Sequence, residues 1–198
     1  MKFLIATNNT KKLSELQTIL NQFKIEAISL AEAGIFSDVE ETGTTFEENA
    51  RLKAKTAMER SGLPAIADDS GLVVDALNGD PGIYSARYGG DTCHNDQERY
   101  ELLLKNMENI PEDRRSARFV SAVCLCFPDG KEIMTRGEVE GQILYQPRGK
   151  SGFGYDPIFY VPIEQATMAE ISAERKNKIS HRAHALCKLR EELEKIYR

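Results

Sequence analysis

The 198-residue sequence predicts an α/β fold in which helices surround one central β-sheet. Short apolar runs alternate with segments whose apolar residues recur every three or four positions, which is typical of strands alternating with amphipathic helices. The segment from Phe119 to Phe127 is apolar at odd and even positions alike. Because successive strand side chains point to opposite faces, this strand is expected to be covered on both sides.

The N-terminal part of the chain predicts one strand and two helices. Phe3 to Ala6 read as a short buried strand, followed by a polar loop with several candidate helix caps. The apolar face of the first helix is marked by four residues: Leu13, Leu16, Leu20 and Phe23. Thr45 and Glu48 have the spacing of a capping box at the start of a second helix. That helix is expected to run from about Phe46 to Arg60, because Gly62 follows it.

The C-terminal part predicts a third helix, a strand hairpin and a last helix. The third helix is outlined by Tyr100, Leu103, Leu104 and Met107. The long strand turns at Pro128-Asp129-Gly130 into a second strand, Glu132 to Leu144, and a short strand follows over Ile158 to Val161. The last helix is expected to begin at Ser180, with an apolar face formed by Leu186, Leu189 and Leu193.

Composition excludes several classes of protein. A content of 41% hydrophobic and 29% charged residues is ordinary for a soluble globular chain, and no linker divides residues 1–198 into separate domains. The net charge of −5 argues against a bulk nucleic-acid binder, and no apolar run approaches membrane-spanning length. Cys124 and Cys126 lie at strand spacing in an apolar run, so we expect buried thiols in a reducing, cytoplasmic setting.

Two adjacent aspartates, Asp68 and Asp69, interrupt an apolar stretch and are followed by Ser70 and a glycine. Because burying unpaired carboxylates is costly, the pair indicates a divalent cation or a reacting proton. The competing interpretation is a polar turn between two strands. Glu40 and Glu41 lie upstream near a helix start and would complete a cation site with the pair, since Mg²⁺ prefers a few carboxylates plus waters and phosphate oxygens.

Two lysines occupy positions that favour an anion, and a third lies on the core-facing side of a helix, where it needs a partner or an exit to water. Lys11 and Lys12 fall in the first turn of the first helix, where the macrodipole disfavours cations unless an anion binds there. The preceding loop, residues 7–9, adds hydroxyl, amide and backbone donors. Lys53 falls near the middle of the apolar stripe of the second helix, with Asn49 alongside. Solvated surface lysines and a snorkelling Lys53 remain the alternatives.

A glycine-rich segment, residues 148–157, is the second anomaly of the sequence. A phosphate-binding P-loop is rejected because position 144 is Leu rather than Gly and because a strand follows. Phe153 has the chemistry to stack on a base, and Asp156 to accept a hydrogen bond from a base edge. A turn in which Phe153 and Tyr155 pack inward is the alternative. Further along, His181 and Arg182 put donors at a helix start, where an anion or a carbonyl oxygen binds.

Six segments in this order resemble the inosine triphosphate pyrophosphatase family, the HAM1-like nucleotide pyrophosphatases. Each segment alone is a weak signal, but together they extend over essentially the whole chain. Thr7 stands where the family often has Ser, which keeps the hydroxyl. The segments are Thr7-Asn8-Asn9-Thr10-Lys11-Lys12, Thr42-Gly43 with Phe46 to Ala50, Ala67-Asp68-Asp69-Ser70-Gly71, Pro81 to Tyr88, Gly152-Phe153-Gly154-Tyr155-Asp156-Pro157, and Ile179-Ser180-His181-Arg182.

The resemblance implies an ITPase-like (Maf/HAM1) fold with a long mixed central sheet flanked by helices, two lobes around a cleft, and a homodimer. It implies Mg²⁺-dependent hydrolysis of deaminated purine triphosphates (ITP, dITP, XTP and dXTP) to the monophosphate and pyrophosphate. No nucleic-acid or membrane partner is expected. Two other classes stay open: a hydrolase of other nucleoside triphosphates, and a non-catalytic nucleotide-binding module.

Site roles also follow from the resemblance. It makes Asp69 the general base and a metal ligand, supported by Asp68, with Glu40 or Glu41 as a second ligand. The residues implied for the triphosphate are Thr7, Asn8, Asn9, Thr10, Lys11, Lys12, Lys53, Ser70 and Lys176. The residues implied for the base are Phe153, Gly154, Tyr155, Asp156, His181 and Arg182. In this scheme Asp156 faces the base N1–H while Arg182 or His181 faces O6, which leaves buried groups unpaired when adenine binds.

Overall fold

A computed structural model describes residues 2–36 and 39–196. The helices in these ranges are α1 (Thr10–Gln22), α2 (Phe46–Ser61), α3 (Asp96–Asn106), α4 (Ala173–Ile179) and α5 (His181–Ile196). The strands are β1 (Lys2–Ile5), β2 (Glu26–Ser29), β3 (Ala65–Val74), β4 (Ser116–Cys126), β5 (Glu132–Ile143), β6 (Phe159–Val161) and β7 (Ala166–Thr167). No helix in the described ranges is long and apolar enough to cross a membrane.

The strands form one mixed seven-stranded sheet in the order β2-β1-β3-β4-β5-β6-β7. β1 pairs in parallel with β2 and β3, whereas β6 pairs antiparallel with β5 and β7. The first three strands are joined by α1 and α2, as parallel neighbours require a crossover. The predicted α/β fold with a long mixed sheet flanked by helices is therefore confirmed.

The chain divides into two compact units, and the boundary within β3 falls between Asp69 and Ser70. The first unit comprises the chain up to residue 69, residues 121–137 and the chain from residue 181. Its apolar core includes Phe3, Leu16 and Leu189. The second unit comprises residues 70–120 and 138–180, and its core includes Leu103 and Phe159. Two lobes around a cleft, within a single functional domain, stay a prediction.

The start and end of α2 follow the predicted capping signals. The Thr45 hydroxyl accepts a hydrogen bond from the Glu48 N–H at 3.1 Å, and Gly62 ends the helix in the left-handed region with φ of 68°. The Glu48 carboxylate departs from a capping box, because it accepts from the backbone N–H and hydroxyl of Thr44 instead of the backbone of Thr45. The capped helix carries Asn49 and Lys53 at fixed positions.

Two local features differ from the sequence-based expectation. Asp68 and Asp69 lie inside one uninterrupted ten-residue strand, β3, which excludes the competing interpretation of a polar turn between two strands. Ser180 directly precedes the last helix as predicted, but it also ends the short helix α4, with its N–H donating to the Lys176 carbonyl at 2.9 Å. The helix α4 was not predicted, because seven residues are too few to show a helical period.

A close approach between β5 and α5 fixes the start of the last helix. A Cβ atom on Gly137 would lie 2.1 Å from the His181 carbonyl oxygen and 2.3 Å from the Ala185 nitrogen. The Thr135 hydroxyl also donates to the Ala185 carbonyl at 2.9 Å. The backbone of α5 therefore lies directly on the strand, and this contact positions His181.

We expect Gly137→Ala to lower the free energy of unfolding by about 1–3 kcal/mol, the usual cost of overpacking a tight contact. The strand and helix must separate to admit the methyl group. Urea unfolding measures the loss, with Glu140→Ala on the exposed side of the same strand as the matched control. Equal stability of the two variants would contradict the close contact.

Candidate active site

The two adjacent aspartates have different partners. Asp68 and Asp69 are both buried, with 1% and 5% of their surface exposed, whereas Ser70 after them is partly exposed. Because the aspartates are neighbours on a strand, their side chains point to opposite faces of the sheet. Each therefore anchors its own group of charged residues, and both groups belong to the first unit.

The Asp69 group is centred on one ammonium. Lys53 Nζ donates to Asp69 Oδ1 at 3.0 Å and to Glu41 Oε1 at 2.6 Å. Asn49 Nδ2 donates to the other Asp69 oxygen at 3.3 Å, while Asn49 Oδ1 accepts from the Gly43 N–H at 2.8 Å. Lys53 thus holds two carboxylates together, and Asn49 ties the segment beside Glu41 to the same aspartate.

In the Asp69 group, the pKa values of Asp69 and Lys53 are both raised, for different reasons. Burial raises the pKa of Asp69 above its ordinary value, although Lys53 and Lys12 oppose the shift. Burial alone would lower the pKa of Lys53, but Asp69, Asp68 and Glu41 outweigh it and raise that pKa. Lys53 is therefore charged at neutral pH. Any further positive charge near Asp69 would stabilise its ionised carboxylate and lower its pKa.

The Asp68 group is a buried ion network. Arg182 donates to Asp68 Oδ2 from Nε at 3.2 Å and from Nη2 at 3.1 Å, and its Nη1 donates to Glu15. Lys12 Nζ lies 3.5 Å from the same Asp68 oxygen. The Arg182 side chain is 1% exposed, so its charge is compensated by Asp68 on β3 and Glu15 on α1 and not by water.

Lys12 has an incomplete complement of negative charge. Burial lowers the pKa of Lys12 below its ordinary value, and the positive charges of Lys53 and Arg182 add to this effect, so that the opposing influence of Asp68 and Asp69 does not restore it. An anion placed beside Lys12 would restore its pKa. The pKa of Asp69 is shifted in the opposite sense, because added positive charge would stabilise its ionised form. Lys12 and Asp69 together therefore suit a ligand that brings both an anion and a cation.

The loop before α1 is partly used to cap the helix. Asn9 Oδ1 accepts from the N–H groups of Lys11 at 3.0 Å and Lys12 at 3.1 Å, and the Thr7 hydroxyl accepts from Asn9 at 3.3 Å. Asn8, Asn9, Thr10 and Lys11 are exposed, and Thr7 is partly exposed. The predicted phosphate loop is therefore a capped helix start with an exposed polar rim.

The glycine-rich segment forms a tight loop in the second unit. Asp156 Oδ2 accepts from the Phe153 N–H at 2.9 Å and from Lys176 Nζ at 2.6 Å. Lys176 Nζ also lies 4.8 Å from the centre of the Phe153 ring, which is a cation–π distance. Asp156 and Lys176 are both buried, whereas Phe153 is partly exposed. The loop thus presents one aromatic ring above a buried ion pair.

The other loop positions are held from within the second unit. Tyr155 is 4% exposed and its hydroxyl donates to the Ser85 carbonyl at 2.9 Å, so this ring packs inward. Burial raises the pKa of Tyr155, which keeps the phenol neutral. The Gly154 N–H donates to Asp96 Oδ2 at 2.8 Å. Residues 84–88, whose role the sequence left open, therefore help to support the loop through Ser85.

Comparison with known proteins identifies the family of this chain. The sequence model of the Ham1 family matches residues 3–192. The chain belongs to the Ham1 family.

Named relatives of this Ham1 protein cover almost the whole chain. A dITP/XTP pyrophosphatase of Listeria monocytogenes is 49% identical over 98% of this chain and 96% of its own. A dITP/XTP pyrophosphatase of Geobacter sulfurreducens is 48% identical over 97% of this chain and 96% of its own. These values confirm the predicted family.

Solved Ham1 structures confirm the fold. The Staphylococcus aureus Ham1 protein has a TM-score of 0.87 and 44% identity, and covers 98% of both chains. A HAM1 protein from Coxiella burnetii has a TM-score of 0.88 and 43% identity, over 98% of this chain and 99% of the other.

The two glutamates that the resemblance implies as metal ligands have different surroundings in this Ham1 protein. Glu41 contacts the ammonium that also binds Asp69, whereas Glu40 is exposed. Asp69 and Glu41 offer hard oxygen ligands of the kind that Mg²⁺ takes, a few carboxylates completed by waters and phosphate oxygens. The buried Asp69 carboxylate, with its raised pKa, fits a site that gains a cation. The donor set is therefore compatible with a divalent metal.

One residue of the Asp69 group received no role from the sequence. Asn49 is fully buried on α2 and links Asp69 to the Gly43 backbone. A Cβ on Gly43 would lie 2.7 Å from Asn49 Oδ1, so the glycine is required for this close contact. An amide one turn before Lys53, on the same face of the helix, was the available signal.

The conformation of the glycine-rich segment, residues 148–157, yields a prediction with a matched control. Gly152 has φ of 80°, and a Cβ there would lie 2.0 Å from Asp156 Oδ2. Gly154 has φ of 61°, and a Cβ there would meet no atom within 4 Å. Alanine at either position carries the same left-handed backbone cost of about 1–2 kcal/mol.

Only Gly152→Ala also displaces the carboxylate. We therefore expect Gly152→Ala to raise KM several-fold for a deaminated purine triphosphate, with a smaller change in kcat. Steady-state kinetics on both variants checks this. Equal KM values for Gly152→Ala and Gly154→Ala would contradict a role for the Asp156 position in substrate binding.

Proposed function

We propose that this Ham1 protein hydrolyses dITP, ITP, XTP and dXTP to the nucleoside monophosphate and pyrophosphate, and so keeps deaminated purines out of nucleic acid. The observation that carries the proposal is the Asp69–Lys53–Glu41 group, a desolvated carboxylate held by a charged lysine beside a second carboxylate. The names of relatives at 48–49% identity support the substrate class.

The lysines are assigned to the triphosphate. Lys12 has a lowered pKa because it is buried and its surroundings hold too little negative charge, so an added phosphate stabilises its ammonium. Lys53 carries a full charge and is fixed between two carboxylates. The exposed rim of residues 7–11 adds donors at the α1 start. Lys176 is bonded to Asp156, so its role with phosphate stays a prediction.

Asp69 and Glu41 are the residues that would hold Mg²⁺. When bound, the metal supplies positive charge for the phosphates and lowers the pKa of a ligated water. Asp69 positions the attacking water and takes up its proton. Asn49 and Lys53 orient the carboxylate for this transfer. Lys12 and Lys53 then stabilise the charge on the leaving pyrophosphate.

Asp156 is assigned to the N1 position of the base. Hypoxanthine and xanthine carry a hydrogen at N1, which a carboxylate accepts, whereas adenine presents a lone pair there. A carboxylate has about four acceptor sites, so Asp156 retains capacity beyond the Phe153 N–H and Lys176. Because Arg182 is engaged with Asp68 and Glu15, its proposed contact with O6 stays a prediction, as does that of His181. A homodimer and a cytoplasmic location also stay predictions.

A triphosphate panel with Mg²⁺ tests the function. We expect monophosphate and pyrophosphate from dITP and XTP, with much slower turnover of dATP and dGTP. A general nucleotide hydrolase would show no such preference, and a binding module would bind dITP without releasing pyrophosphate. Formation of diphosphate and phosphate would contradict the proposed bond cleavage.

A further inference from the structure

A cluster of three potential metal ligands lies in the first unit, and the proposed mechanism uses none of them. Cys124 and Cys126 are on β4, and Glu132 is at the start of β5. One ligand atom from each residue lies within 4.8 Å of the other two. Among residues 2–36 and 39–196 it is the one group of three such side chains this close together.

The geometry of the two thiols suits chelation. Cys124 and Cys126 are two positions apart on a strand, so they share a face, and their sulfur atoms are 3.6 Å apart. A tetrahedral metal with metal–sulfur bonds of about 2.3 Å separates two sulfurs by about 3.8 Å. A disulfide requires about 2.05 Å between them. Metal binding therefore needs a far smaller movement of the sulfurs than oxidation to a disulfide.

The carboxylate of the cluster, Glu132, is paired with the guanidinium of Arg51. Arg51 Nε on α2 donates to both oxygens of Glu132, at 2.8 and 3.0 Å. Both thiols are buried, while Glu132 and Arg51 are exposed, so the cluster opens towards the surface at the carboxylate. The two sulfurs and the Glu132 carboxylate thus offer three ligand atoms within 4.8 Å of one another.

We propose that Cys124, Cys126 and Glu132 bind one thiophilic divalent cation of the Zn²⁺ class, with water in the fourth position. Two S–H bonds break, two metal–sulfur bonds form, and both protons pass to solvent. The Glu132 carboxylate exchanges Arg51 for the metal. The cation is chemically distinct from Mg²⁺, which takes oxygen ligands and avoids thiolates.

Cobalt titration of the reduced full-length protein tests the proposal. Excess Mg²⁺ is kept present so that oxygen-ligand sites are occupied. We expect a sulfur-to-cobalt charge-transfer band in the near ultraviolet that saturates at one Co²⁺ per chain and is displaced by Zn²⁺. Calorimetry with Zn²⁺ in buffers of different ionisation enthalpy should show proton release. The absence of a saturable charge-transfer band would overturn the proposal.

Variants locate the site and control for folding. Cys126→Ala should abolish the band, and Glu132→Gln, a surface change, should weaken binding about tenfold or more, since even outer-shell partners contribute that much. Arg51→Met should tighten binding, because it removes a competing cation. Cys187→Ser, at an exposed thiol, should bind as the unaltered protein does. Loss of the band in Cys187→Ser, or its retention in Cys126→Ala, would contradict the assignment.

Discussion

Replacement of Asp69 by asparagine is expected to lower kcat for dITP by about 10³-fold, within the range for loss of a general base. Asparagine keeps the shape and one oxygen, but it neither accepts the proton of the attacking water nor offers a charged ligand. Lys53 retains Glu41, so the group stays assembled. Steady-state kinetics with Mg²⁺ measures the loss. Asp129→Asn, on the exposed β4–β5 turn, is the matched control and should keep full activity.

The same substitution is expected to stabilise the metal-free protein at neutral pH. The folded-state pKa of Asp69 lies above its ordinary value, so the folded protein binds the proton more tightly than the unfolded chain. The ionised carboxylate therefore costs stability above the folded-state pKa, and this cost disappears below the ordinary value of 3.8. Thermal unfolding of both proteins at neutral and acid pH checks the sign. An Asp69→Asn protein that is active, or that fails to fold, would contradict the assignment of Asp69 as the general base.

Replacement of Arg182 by alanine is expected to produce the largest loss of stability. The substitution removes the guanidinium that pairs with the buried Asp68 carboxylate and with Glu15. Lys12 then remains as the nearby cation for Asp68. Removing one member of a buried ion pair costs about 3–5 kcal/mol, since the remaining charge loses its compensation. Chemical unfolding should therefore show a large drop in the free energy of unfolding.

Arg190 on the same helix provides the control. Its pair with Glu194 is exposed, so Arg190→Ala should cost at most about 1 kcal/mol. Adding Asp68→Asn to Arg182→Ala should recover part of the loss, because the side chain that lost its guanidinium is then neutral. If Arg182→Ala and Arg190→Ala are equally stable, Arg182 is not the structural counterion of Asp68.

Much of the fold was predictable because its signals are local. Short stretches of sequence carry these signals: the caps of α2 at Thr45 and Gly62, and the apolar faces of α1 and α5. The short strands β2 and β7 were missed, since two to four residues carry no period of their own. Their place in the sheet depends on pairing with distant segments, which the sequence does not display.

The candidate site was predictable in its members but not in its pairings. The sequence marks Lys53, Asp68, Asp69 and Arg182 as unusual, but the strand alternation that sends the two aspartates to opposite faces became visible only with β3 continuous. The contact of Asp69 with Lys53 joins residues 16 positions apart, and that of Asp68 with Arg182 joins residues 114 apart. Such partners are set by tertiary structure, which is also why Glu41 separates from Glu40.

The central claim is that water positioned by Asp69 attacks the α-phosphorus of the triphosphate. Hydrolysis of dITP in ¹⁸O-labelled water with Mg²⁺, followed by mass spectrometry of both products, tests it directly. The account predicts one labelled oxygen in the nucleoside monophosphate and none in the pyrophosphate. Label in the pyrophosphate would mean attack at the β-phosphorus and would contradict the account.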